Sequence, residues 1–196
     1  MGWSSSAIVV VVLGGCAFRP DGAGDAQRPD DPTDGGGIDA TDDAPGPASC
    51  PPGYTTAGAG TYRLVEHGGT WDDARADCAD DTTGGTFTHH THLVVLSHDG
   101  ERAAIRAAFA PSRLWLGVSD RVTTFAWRWV TAEDTGGYPP GNGPPWRVGQ
   151  PTNGDMGRQD CVVMDEQGQW DDRPCNSDEH AYVCECDPFP EEPANF

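Results

Sequence analysis

Apolar and polar positions set out a series of short elements between residues 50 and 187. In "TWDDARADC", Trp71, Ala74 and Cys78 recur at i, i+3 and i+7, which places them on one helical face. Thr70 precedes this face as an N-cap, with Asp73 at the capping-box position. "ERAAIRAAF" predicts a second short helix with Ile105, Ala108 and Phe109 on its apolar side and Pro111 as its stop. "LVVL" (93–96) is a continuous apolar, β-branched run and reads as a buried strand. "LWLGVSD" (114–120), "WRWV" (127–130), "CVVM" (161–164) and "AYVCE" (181–185) read as further short strands. Between Val130 and Cys161 lies a stretch dense in Gly and Pro, including "GGYPPGNGPPW". A connection that long inside a compact domain points to a functional loop.

The N-terminal third has a different character. Ala7–Leu13 is an apolar run too short to span a bilayer and suited to the core of an export signal. It runs into "LGGC", which resembles the lipobox of bacterial lipoproteins and implies lipidation of Cys16, although no Lys or Arg precedes the run. Residues 1–16 are thus expected to be a lipoprotein-type signal, the alternative being an ordinary signal peptide with an incidental cysteine and a secreted protein. Residues 17–49 hold eight Asp, two Arg, and Phe18 and Ile38 as their only large apolar side chains. Such a segment buries too little apolar surface to offset its ordering entropy, and is expected to be a disordered acidic linker. Residues 188–196 are read as a C-terminal tail.

Charge narrows the partners. Lys+Arg is 12 against Asp+Glu 31, a net charge of -19. That repels nucleic-acid phosphates and anionic bilayers, leaving a lipid anchor as the only expected membrane contact. Six cysteines follow Cys16, and an even set in an exported chain reads as a disulfide framework. No Cys-x-x-Cys pair, nucleophile elbow, His-Glu-x-x-His motif or phosphate-cradling glycine loop is present, so neither a zinc knuckle nor an enzyme is expected. "THHTH" gathers His89, His90 and His92, with His98 nearby. It reads as a solvated loop before a strand rather than a zinc or copper site.

The ordered set "CPPGY", "TWDDARADC", "LWLGVSD", "GQPTNGDMGRQDC", "GQWDDRPC" and "YVCE" resembles the C-type lectin-like domain, over Cys50 to about Cys186. That resemblance implies an α+β fold over 50–187, with two short helices on small antiparallel sheets and a long loop. It implies the disulfides Cys78–Cys184 and Cys161–Cys175. Thr61 stands where long forms of the family carry a second N-terminal cysteine, which leaves Cys50 to pair with Cys186.

Sugar-binding members hold calcium with a Glu/Gln-Pro-Asn/Asp triplet, a following Glu and the Asn-Asp after the core Trp. Carried onto this chain, these are Gln150 and Thr152 around a candidate cis Pro151, then Gln159, Asp171 and Asp172. Thr152 and Gln159 supply weaker or uncharged oxygens than the family pattern. Asn153 could slide into the place of Thr152, and Asp155 or Asp160 could restore charge. Asp120 survives from an auxiliary ion site, whereas Thr124 replaces an acid there. Trp146 or Tyr138 could stack on a sugar, or Trp146 could pack the loop on the core. Two readings remain open: a surface carbohydrate-binding module with Ca2+ as cofactor and Gln150, Thr152, Asp171 and Trp146 at the sugar, or a calcium-independent protein-binding, adhesive module.

Overall fold

A computed structural model describes residues 49–109, 113–138, 145–154 and 158–196. The signal at 1–16, Cys16, residues 17–48 of the linker, Pro111 and Asp155 lie outside the described residues.

The chain opens with strands β1 (Thr55–Ala57) and β2 (Gly60–Gly69), joined by a two-residue turn at Gly58-Ala59. Gly58 has φ +63°, the positive value such a hairpin turn needs. Helix α1 (Trp71–Asp80) starts at the expected capping box: Asp73 N–H donates to the Thr70 hydroxyl while the Asp73 carboxylate accepts from Thr70 N–H. Its buried residues are Trp71, Ala74 and Cys78, the face the spacing predicts. Strand β3 (His90–Leu93) follows, then helix α2 (Asp99–Phe109). On α2 Ile105 is buried, but Ala108 is exposed. The remaining strands are β4 (Arg113–Ser119), β5 (Arg128–Trp129), β6 (Cys161–Asp165), β7 (Trp170–Arg173) and β8 (His180–Asp187).

The main path through the sheet is β1-β2-β8-β4-β6-β7, with β3 also on β8 and β5 also on β4. All pairs are antiparallel except β4 with β8. The run Val94–Leu96 continues from β3 fully buried, with Val94 N–H on Val183 O at 2.9 Å. Gly117 of β4 is required at the crossing of this run, because a Cβ there would lie 2.3 Å from Leu93 O.

The core is built on Trp71, Trp115, Trp170, Tyr62 and the aliphatic residues of β3, β4 and β6. Trp71 Nε1 donates to Leu116 O at 2.8 Å and Trp115 Nε1 to Gly69 O at 2.9 Å, so these indoles are satisfied inside it. All three expected disulfides are formed: Cys78–Cys184 ties α1 to β8, Cys161–Cys175 joins the start of β6 to the second residue beyond β7, and Cys50–Cys186 closes the domain's ends. Each long closure stabilises by about 3–5 kcal/mol through the unfolded chain. The segment read as a tail docks on this body. Glu192 N–H reaches Val130 O at 2.7 Å, and Phe196 meets the edge of Trp71 at 6.2 Å and the Arg75 guanidinium at 4.6 Å.

Candidate functional site

The segment between β5 and β6 is fixed by tryptophans. Trp170 N–H donates to Pro145 O and Arg147 N–H to Trp170 O, both at 2.9 Å. Trp146 packs between Trp127, at 5.0 Å, and Trp170, at 5.6 Å, and is 4% exposed. A ring so enclosed has no face for a ligand, which corrects the expectation that Trp146 stacks on a sugar. Tyr138 meets Trp170 edge-to-face at 5.9 Å and donates its hydroxyl to Asp99.

Beyond this anchor the Gln150–Pro151 peptide is cis. Gln150 donates from Nε2 to Asp171 Oδ1 at 2.6 Å; the amide nitrogen, not the oxygen, must face a carboxylate. Asp172 is fully buried and accepts from Thr152 N–H at 3.0 Å and Asn153 N–H at 2.5 Å. Asn153 adopts φ 60° and is itself buried, with its side-chain oxygen on Gln159 N–H at 3.3 Å. It staples the loop internally rather than replacing Thr152 at the surface. Thr152 is exposed, and its hydroxyl donates to Gln159 Oε1 at 3.1 Å. The sequence-predicted residues Gln150, Thr152, Asn153, Gln159, Asp171 and Asp172 therefore meet in one network.

Asp160 stands at its edge. Its carbonyl accepts from Asp120 N–H at 3.1 Å, and it lines a cleft of about 510 Å³ with Asp72, Arg121 and Arg158. Asp120 takes Phe125 N–H on one oxygen at 2.6 Å, while the other is buried without a partner. Burial pushes its carboxyl up to about 6, against the Phe125 bond, with the charges of Asp160 and Asp172 adding to the rise.

One participant escaped the sequence reading. Arg173 Nη2 lies 2.6 Å from Asp171 Oδ2, and Arg147 Nη1 lies 3.8 Å from the same oxygen. The signal was available: residues 171 and 173 are two apart on a strand and so share a face.

The family model for the Lectin C-type domain matches residues 67–186. The chain belongs to the C-type lectin family. The lectin domain is 28% identical to mouse C-type lectin domain family 4 member G over 139 residues, which are 69% of this chain and 42% of that protein. The chain thus spans less than half the length of that relative. The human scavenger receptor C-type lectin carbohydrate-recognition domain is 26% identical and superposes with TM-score 0.54, covering 71% of this chain and 99% of that one. A calcium-independent type II antifreeze protein is also 26% identical, at TM-score 0.54, over 71% of this chain and 95% of its own. Domains of this family are non-enzymatic binding modules, and this lectin domain is one.

Calcium requires six to eight oxygens, several of them charged. The lectin domain's donor set does not fit a resident ion at Asp171. A guanidinium already neutralises that carboxylate, and Gln150 turns its NH2 group, not its oxygen, toward it. Both Asp172 oxygens accept backbone N–H groups, Thr152 and Gln159 are neutral and bonded to each other, and the Asn153 side-chain oxygen accepts from Gln159 N–H.

Proposed function

We propose that the domain is a surface carbohydrate-recognition module whose ligand meets the network of Gln150, Thr152, Asn153, Gln159, Asp160, Asp171 and Asp172 without calcium. The observation that carries this reading is the Arg173–Asp171 pair, which stands at the family's cation position while the loop frame around it is retained. Sugar hydroxyls then bond directly to amide, hydroxyl and guanidinium groups. The exposed Thr152 hydroxyl, whose proton is held by Gln159, offers a sugar hydroxyl an acceptor lone pair. Binding of the full chain to a glycan array is expected to survive excess EDTA. Binding abolished by EDTA would restore the calcium reading. Absence of any glycan signal would favour the second reading, a calcium-independent protein-binding and adhesion module; the likeness to a calcium-independent antifreeze protein supports that alternative.

Three disulfides suit an oxidising compartment outside the cytosol. No described helix is long and apolar enough to cross a membrane. On this reading the protein is exported and held at a cell envelope by a lipid on Cys16, with the acidic linker as spacer. Detergent-phase partitioning of the full chain is expected to be lost in Cys16→Ser; equal partitioning of the two proteins would remove the anchor.

A further inference from the structure

Apart from the long loop's network on β7, the β3–β8 pairing creates a second polar cluster that carbohydrate recognition does not use. His92 and Glu185 are direct cross-strand partners, and Asp187, two residues beyond Glu185, shares its face. His92 is fully buried, in β3 rather than in the solvated loop that the histidine run suggests. One donor atom from each of His92, Glu185 and Asp187 lies within 4.8 Å of the others. Glu133 faces the same group from the segment after β5, and lines with Glu185 and Asp187 a cleft of about 470 Å³ that opens a route for a small ion.

The imidazole sets the chemistry. Its Nδ1 lies 3.1 Å from Leu93 O, an acceptor only, so Nδ1 carries a proton. Its Nε2 lies 3.0 Å from Asp187 Oδ1, where a lone pair facing a carboxylate is repulsive. Something positive must stand between them: a second proton or a metal ion. The metal-free cluster takes the proton. Burial opposes the charge on His92, yet the Asp187 bond and the Glu185 and Asp187 charges push its pKa up to about 9. Burial pushes Glu185 up to about 8 and Glu133 to about 7, with neighbouring carboxylates adding to both. Glu101 is not free to join, since it holds Tyr62 Oη at 2.6 Å and Ser97 N–H at 2.7 Å.

We propose that His92, Glu133, Glu185 and Asp187 form a site for a divalent transition ion of the zinc type. An Nδ1–H held on a backbone carbonyl is the usual support of an imidazole that ligates through Nε2. One imidazole with carboxylates suits zinc better than calcium, which takes oxygen ligands. Donors about 2.0–2.2 Å from a shared ion lie about 3.4 Å apart, which side-chain rotation of Glu185 and Asp187 can reach around His92 from a spacing within 4.8 Å, with Glu133 entering from the cleft. Uptake releases the second proton of His92 and the proton that burial favours on Glu185.

The test is calorimetric titration of Zn2+ into chelator-stripped full chain at pH 7.5, in two buffers of different ionisation enthalpy. One equivalent is expected, with a higher Tm and a heat that changes with the buffer. Asp187→Asn and Glu133→Gln, partly exposed positions that leave the buried His92 in place, are expected to weaken zinc at least about tenfold. Their far-UV spectra without metal should match the parent. His90→Ala and His98→Ala, at exposed positions, should leave affinity unchanged. Failure to take up zinc, or uptake that persists in Asp187→Asn and Glu133→Gln but vanishes with the exposed histidines, would overturn the site.

Discussion

Trp170→Ala is expected to lower stability by about 3–5 kcal/mol, as other deletions of a large buried aromatic do. Trp170 is fully buried, and Trp129, Tyr138 and Trp146 present edges to it or receive its edge at 5.8, 5.9 and 5.6 Å. Its main chain also carries the two hydrogen bonds that seat residues 145–147 on β7. Loss of the ring leaves a cavity at the point where the long loop meets the sheet, so local disorder should reach Gln150 and with it the ligand network. Chemical unfolding should show the lower midpoint, and glycan binding should fall together with it. Trp170→Phe, which keeps part of the ring volume, should recover a portion of both. A loss under about 1 kcal/mol in Trp170→Ala would mean that the loop is held by its disulfide and prolines instead.

That dependence was partly legible in the sequence. The capping box, the face of α1 and the cysteine framework could be read because each rests on local chemistry: a hydroxyl three residues from an acid, a 3.6-residue period, an even set of thiols. The β1–β2 hairpin could not, because β2 ends in the polar run Glu66-His67-Gly68-Gly69 and buries only Tyr62, which leaves no alternating pattern. His92 was read as loop for a related reason. A buried histidine is tolerated only where a distant strand brings Asp187 and Glu185 beside it, and sequence spacing does not reveal that pairing. At the ligand network, the resemblance assigned residues by their place in a motif. It had no term for Arg173, whose effect comes from charge opposite Asp171 rather than from membership of the motif. For Trp146 the sequence left stacking on a sugar and packing on the core both open, and its two tryptophan neighbours decide for packing.

Arg173→Ala is the variant that separates a lost ion site from a replaced one. Asp171 is 3% exposed, and removing the guanidinium leaves its carboxylate buried with the neutral Gln150 amide and the more distant Arg147. Breaking a buried pair from one side costs about 3–5 kcal/mol, and partial compensation by Arg147 places the expectation at the low end of that range. The loss should be seen in chelator by thermal or chemical unfolding. The freed carboxylate also makes the network more negative by one charge, with Asp172, Gln150 and Thr152 already in place around it. Addition of millimolar calcium is therefore expected to raise the Tm of Arg173→Ala while leaving the parent unchanged. A parent that is itself stabilised by calcium would show that the guanidinium does not occupy the cation's place. A variant that is destabilised but indifferent to calcium would show that Thr152 and Gln159, rather than Arg173, removed the ion. In the expected case a single fixed positive charge on β7 does the electrostatic work of a diffusible one, and the loop keeps its shape without calcium.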